Sequence, residues 1–137
     1  MRYTYTSEGG ALKAAADLDV EPARMLKSLV ARAGDELVFA LVAADAALSP
    51  KKLAAAAGAK QAVMAEPKEA ERATGYQVGG ISPLGSRKQL PVFLDASAED
   101  FPRICLNAGN RGHIVEVATA DLVRLTGATV ADLQATV

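Results

Sequence analysis

The sequence predicts a mixed α/β fold, with a mixed sheet curled toward a barrel and short helices packed outside it. Three observations carry that prediction. Apolar runs of strand length alternate with Ala-rich or capped helical signals along the whole chain. Some strand candidates are joined by tight turns and others by helices, so antiparallel and parallel neighbours are both expected. Half of the 137 residues are apolar but only six are aromatic and none is Trp, so the core must be built mainly from Ala, Val and Leu. No internal repeat or linker interrupts the pattern, and residues 1–137 read as a single domain.

The elements follow in order. Gly10 to Leu18 is Ala-rich, and its spacing places Leu12, Ala15 and Ala16 on one face of a short helix. Glu21-Pro22 predicts a second helix start, with Pro22 at the first helical position. Leu26 to Ala31 and Leu37 to Ala43 form an antiparallel hairpin around Gly34-Asp35. Ser49-Pro50 opens a helix that Gly58 closes. Gln61 to Met64 is a short strand, and Glu66-Pro67 opens a helix ending at Thr74-Gly75. Leu90 to Leu94 and Arg103 to Leu106 are strands; Pro91 marks the first as an edge or a strand start. Gly109 to Gly112 turns the chain into a strand over His113 to Val117. Thr119 caps a last helix over Ala120 to Thr126, closed by Gly127.

Composition narrows the function. The formal net charge is −1, which offers no bulk electrostatic drive toward nucleic acid; contact with a polyanion would depend on local groups such as Lys51-Lys52, Arg87-Lys88 and Arg111. The single cysteine, Cys105, excludes an intrachain disulfide and a multi-cysteine metal site, and no closely spaced ligand set suggests any other metal. No apolar run has membrane-spanning length, and the first residues lack a signal-peptide core. A soluble cytoplasmic protein without a cofactor, binding neither membrane nor DNA, is the expectation.

Catalytic side chains are sparse. His113 reads as a surface or half-buried structural histidine rather than a general base, because no acidic partner lies near it in sequence. Cys105, between Ile104 and Leu106, reads as a buried thiol with no positive group flanking it. Lys27 stands at an otherwise apolar junction. There it either snorkels to solvent or is a fixed cation beside a cleft. Arg111 likewise reads as a solvated turn residue or as a phosphate contact. The segment Gly75 to Gly85 is different, with four glycines and Pro83 in eleven residues. Such a loop can offer backbone N–H groups to a carbonyl or phosphate oxygen without any catalytic side chain. It follows a helix rather than a first strand, and its glycine spacing argues against a dinucleotide-binding fold.

Together these segments resemble the YbaK/EbsC family, relatives of the editing domain of bacterial prolyl-tRNA synthetases. The resemblance is carried by Leu26-Lys27-Ser28-Leu29-Val30, Gly58-Ala59-Lys60, Met64-Ala65-Glu66-Pro67, Thr74 through Gly85, and Asn107 through Gly112, and it runs from about Val20 to the C-terminus. It implies a mixed α/β domain with a barrel-like sheet that hydrolyses the ester joining a wrong amino acid to tRNA. Cysteinyl-tRNA(Pro) is the substrate of the most similar branch. It also implies a pocket holding Lys27, lined by the loop from Gly79 to Pro83. The amides of Gly79, Gly80 and Ile81 would hold the carbonyl oxygen, and Lys27 the 3′-terminal phosphate or the developing charge. Substrate contacts are implied for Tyr5, Ser28, Tyr76, Ser82, Pro83, Asn107, Gly109 and Arg111. The implied partners are mischarged tRNA and prolyl-tRNA synthetase.

The departures concern substrate identity. Family members carry a longer N-terminal segment, Ser28 stands for a commoner Thr, and Asn107, Ala108 and Asn110 replace residues of a turn that usually reads close to S-G-G-K-R-G. Lys27 and the intact loop point to a deacylase. The altered turn and short N-terminus point to a non-catalytic module that binds an aminoacyl-adenosine end or a synthetase. A small-molecule esterase is the third reading, weakened by the lack of a nucleophile–base pair.

Overall fold

The hairpin that the sequence announces becomes the centre of a five-stranded sheet. The structure is a computed structural model and describes residues 1–136. Its helices are α1 (Gly10–Asp17), α2 (Pro50–Ala57), α3 (Pro67–Thr74) and α4 (Thr119–Thr126). Its strands are β1 (Leu26–Ala33), β2 (Glu36–Ala43), β3 (Ala62–Met64), β4 (Val92–Asp95), β5 (Arg103–Asn107), β6 (Ile114–Ala118) and β7 (Thr129–Ala131). The main sheet has the order β3-β1-β2-β4-β7. β1 pairs antiparallel with β2 and β3, and β4 runs parallel to both β2 and β7. The mixed character of the sheet is therefore as the sequence implies.

β5 and β6 form a separate antiparallel ribbon, tied to the main sheet by a parallel bridge between Met25 and Cys105. The N-terminus extends the ribbon. Tyr3 N–H donates to Gly112 C=O at 2.9 Å, and Met1 C=O accepts from Ile114 N–H at 2.9 Å.

β2 is apolar on both faces because both faces are covered. Phe39 and Leu41 pack with Leu26, Val30 and Leu94 against Ile104 and Leu106 of the ribbon and Leu122 of α4. Val38, Ala40 and Val42 pack on the opposite side against Leu53 and Ala54 of α2 and Leu133. Alanine serves both needs of α2: it is a strong helix former, and it lets the helix lie close to the sheet. Ser49 caps that helix, its Oγ accepting from Lys52 N–H at 3.2 Å. The C-terminal segment is anchored by the buried carboxylate of Asp95, which accepts from Leu133 N–H at 2.8 Å and from the Gln134 side chain at 2.9 Å.

Several boundaries differ from the sequence reading. The helix expected at Pro22 is one 3-10 turn, Pro22–Arg24, because Met25 is already extended and bridged to Cys105. α1 buries Ala14 and Ala15, whereas Leu12 is 49 % exposed and Ala16 faces solvent. Thr119 is not a cap: it is the first helical residue, and its hydroxyl donates to Phe101 C=O at 2.6 Å. β4 begins at Val92, since Pro91 cannot donate; its C=O instead accepts from Phe39 N–H at 2.8 Å just ahead of the strand. β6 begins at Ile114 rather than His113. β7 and a 3-10 turn over Ala96–Asp100 had no sequence signal of their own.

Candidate active site

A cavity of about 390 Å³ opens where β1, the N-terminal segment, the start of α3 and the glycine-rich loop meet. Its wall is mainly apolar, with Met25, Leu26, Val30, Ala70, Ile81 and Ile114 among the contributors. Lys27 is the one charged side chain among the described residues that line it, and no His, Cys, Asp or Glu does so. The Lys27 ammonium has no ion-pair or hydrogen-bond partner among the described residues. Strand alternation places Lys27 and Ser28 on opposite faces of β1, and the cavity reaches both because it lies along the strand's edge. Ser28 Oγ is buried and has no hydrogen-bond partner among the described residues.

The loop is folded by its own polar groups. Gly75 ends α3 in the left-handed conformation. Tyr76 O–H donates to Leu84 C=O at 2.7 Å and closes the segment on itself. Val78 N–H donates to Glu71 at 2.8 Å, and Leu84 N–H donates to Ser82 Oγ at 3.1 Å. Arg111 then clamps the outside: its Nε donates to Val78 C=O at 2.8 Å, and its guanidinium lies 4.7 Å from the centroid of the Tyr5 ring.

Two glycines are required by close approach. A Cβ at Gly79, where φ is +98°, would fall 2.6 Å from the Tyr5 ring; one at Gly80 would fall 2.9 Å from backbone atoms of Asn110 and Arg111. The loop, the N-terminal segment and the 107–112 turn are thus packed backbone to ring and backbone to backbone.

Of the residues singled out in the sequence, Tyr5, Lys27, Ser28, Gly79, Ile81 and Asn107 line the cavity. Gly80, Tyr76, Ser82, Pro83, Gly109 and Arg111 lie outside its lining. Gly80 N–H donates to Gln77 C=O at 2.9 Å, so that amide is used inside the turn. Gly79 and Ile81 N–H have no protein acceptor among the described residues. Tyr76 is the loop's clasp, with its ring over Gly109. Ser82 is buried and holds Leu84, and Pro83 lies outside the wall beside it. Arg111 is exposed but not free-standing: its Nε is held by Val78 C=O and its face lies on Tyr5, so it serves as a clamp beside the cavity rather than as part of its wall.

The sequence reading missed Tyr3, Thr6, Ser7, Met64, Ala65 and Val78, which also line the cavity. Tyr3 had a signal, since an extended segment puts alternate residues on one side and Tyr3 and Tyr5 share that spacing. Burial, reinforced by Tyr5, pushes the Tyr3 phenol up and keeps it protonated.

The remaining candidate nucleophiles lie elsewhere. His113 is outside the cavity, accepting from Arg2 Nε at 3.3 Å. Cys105 is fully buried under α1. Contrary to expectation a cation does flank it: Arg24 Nη1 lies 3.5 Å from Sγ, brought there by the Met25–Cys105 bridge. Burial still prevails and raises the thiol's pKa. Arg24 is shared with Glu116, whose carboxyl is held low by Arg24 and Arg103. No group of three or more His, Cys, Asp or Glu side chains among the described residues could hold a metal. No helix is long and apolar enough to cross a membrane.

The chain has counterparts among known proteins. The profile of the aminoacyl-tRNA editing domain matches residues 9–125. The chain belongs to the aminoacyl-tRNA editing-domain family. This editing domain is 36 % identical over 121 residues to EbsC of Enterococcus faecalis, provisionally named a Cys-tRNA(Pro)/Cys-tRNA(Cys) deacylase; the match covers 87 % of this chain and 73 % of that one. It is 34 % identical over 89 residues to the multifunctional Ser/Thr-tRNA deacylase ProXp-y of Escherichia coli K12, covering 64 % of this chain and 53 % of the relative. A crystal structure described as a provisionally assigned trans-editing enzyme for prolyl tRNA synthetase superposes on the editing domain with a TM-score of 0.89 at 28 % identity, over 99 % of this chain and 85 % of that one.

Proposed function

We propose that this editing domain hydrolyses the ester of mischarged tRNA, with Cys-tRNA(Pro) as its principal substrate. The observation that carries the reading is a lone cation, Lys27, in an apolar cavity that also receives Gly79 and Ile81, whose N–H groups have no protein acceptor among the described residues. An aminoacyl ester is already activated. Orientation and stabilisation of the developing oxyanion by amides and a cation in a poorly hydrated site supply the acceleration. The carbonyl oxygen lies against Gly79 and Ile81, and Lys27 neutralises the oxyanion or the 3′-terminal phosphate. The absence of a His, Cys or carboxylate from the wall among the described residues supports a route without a protein nucleophile.

For a cysteinyl substrate the attacking group is the substrate thiol. Its sulfur bonds to the ester carbonyl carbon, the bond from that carbon to the ribose oxygen breaks, and the thiol proton passes to that oxygen. Water then opens the released thiolactone. The names borne by the relatives support both a cysteinyl and a hydroxyl-bearing substrate class. Action beside prolyl-tRNA synthetase is supported by the description of the superposed structure.

The test is a deacylation panel of Cys-, Ser-, Thr- and Ala-charged tRNAs, with Lys27→Ala as control and with synthetase added across a concentration series. Hydrolysis fastest for the cysteinyl ester, lost in Lys27→Ala and raised by the synthetase, is the expected result. Equal rates for cysteinyl and alanyl esters would exclude the thiol route. No hydrolysis of any ester would leave a binding module.

A further inference from the structure

The outer edge of β1 is open where it meets the cavity, and two backbone hydrogen bonds establish which amides face outward. Met25 C=O accepts from Ala44 N–H at 2.7 Å on the β2 side, whereas Val30 C=O accepts from Ala65 N–H at 3.1 Å on the opposite side. Amide groups alternate sides along a strand. Lys27 and Leu29 therefore pair with β2, while Leu26, Ser28 and Val30 turn their N–H and C=O groups away from it. Phe39 agrees with this parity: it is the cross-strand partner of Val30, yet its N–H donates to Pro91 C=O at 2.8 Å.

One end of this outer edge is closed by the Met25–Cys105 bridge, and the other by the Val30–Ala65 bond and β3. Ser28 lies between them. No ladder or bridge among the described residues pairs it on that side, and it lines the cavity.

A gap of one outward-facing residue is too short for a strand but fits a single amino acid. In a hydrogen-bonded antiparallel pair, one residue exchanges both its N–H and its C=O with the residue opposite. An α-aminoacyl ester presents the same pair of groups, an amino donor and a carbonyl acceptor on either side of one carbon. We infer that Ser28 binds the main chain of the aminoacyl group, its C=O accepting from the α-amino group and its N–H donating to the ester carbonyl oxygen. The inference rests on the proposed deacylase function and gives that site its amino-acid recognition element.

Ser28 N–H then acts on the carbonyl together with the loop amides, and it polarises the bond that breaks. The apolar wall strengthens both hydrogen bonds by excluding water. Recognition through the main chain leaves the substrate side chain to the rest of the cavity. It also demands a free α-amino group.

The test uses the full chain and two non-hydrolysable probes, 3′-(L-cysteinyl)amino-3′-deoxyadenosine and its des-amino counterpart carrying 3-mercaptopropionyl, under reducing conditions. Backbone amide NMR and hydrogen exchange are read at Ser28. In the free protein Ser28 N–H should exchange faster than Lys27 and Leu29 N–H. The cysteinyl probe should shift the Ser28 amide and slow its exchange by about tenfold or more, and the des-amino probe should bind about tenfold more weakly. Loop amides that shift while Ser28 does not, or equal binding of the two probes, would overturn the inference, as would failure of both to bind. Its failure is separable from that of the proposed function. Hydrolysis of aminoacyl-tRNA with an unperturbed Ser28 sinks only the inference. Engagement of Ser28 by a protein that hydrolyses nothing sinks only the deacylase reading and upholds the subsite.

Discussion

Arg111 lies with its guanidinium 4.7 Å from the centre of the Tyr5 ring, while its Nε holds the carbonyl of Val78 at 2.8 Å. One side chain thus joins the N-terminal segment to the glycine-rich loop across the cavity's rim. Arg111→Ala should lower stability by only about 1 kcal/mol, since the pair is exposed. It should reduce deacylation more than that figure suggests, because Tyr5 and Val78 both line the cavity. A double-mutant cycle with Tyr5→Ala, read in chemical denaturation, should give a coupling of about 0.5 kcal/mol or more. Strict additivity would show that the stack is incidental.

Gly80→Ala should be harsh, because Gly80 is buried. The added Cβ would stand 2.9 Å from the backbone of Asn110 and Arg111, and backbone cannot step aside as a side-chain tip can. A loss of about 1–3 kcal/mol is expected, the range for overpacking. Melting temperature checks it, and an unchanged value would mean that the two loops separate freely.

Lys27→Ala should leave the melting temperature within a degree or two of the parent, because no partner among the described residues loses a bond. Single-turnover deacylation should fall by about 10²-fold, as when one oxyanion-stabilising group is removed. Unchanged turnover would take Lys27 out of the mechanism.

Ser28→Ala removes a buried hydroxyl that has no hydrogen-bond partner among the described residues. Its main chain keeps its place on the open edge. Denaturation should show equal or greater stability, because desolvating an unsatisfied hydroxyl costs about 1–3 kcal/mol. A clear loss would reveal a bond formed in solution.

Cys105→Ala should retain deacylation, since the thiol lies outside the cavity. Burial raises the folded thiol's pKa, so the folded state keeps a proton that the unfolded chain gives up first. The stability contributed by Cys105 is present below the unfolded thiol's pKa and is lost as pH rises from there through the folded value. Denaturation of the parent and of Cys105→Ala across pH 7 to 10 should show the parent falling more steeply. Parallel curves would contradict the raised pKa.

The alternation of strand and helix signals was legible because it is local. Ser49-Pro50 and Gly58 bound α2 through cap and left-handed geometry that any chain with those residues would share, and the apolar run of β2 marks a strand covered on both faces. The Pro22 helix and the Thr119 cap failed for a common reason. Each local preference was overridden by a distant partner, Cys105 for the chain after Pro22 and Phe101 C=O for the Thr119 hydroxyl.

The site divides in the same way. By itself the sequence determined which residues could carry the chemistry: Lys27 as a cation in an apolar setting, and a loop whose glycines free its backbone. Only the tertiary structure decided which backbone groups are available. Gly80 N–H is taken by Gln77, the N–H groups of Gly79 and Ile81 meet no protein acceptor among the described residues, and Ser28 faces outward between the Met25–Cys105 bridge and the Val30–Ala65 bond. Availability of an amide depends on what lies opposite it, and what lies opposite is set by strand pairing and loop packing far along the chain. Residue identity is written locally, whereas the partner of a main-chain group is not.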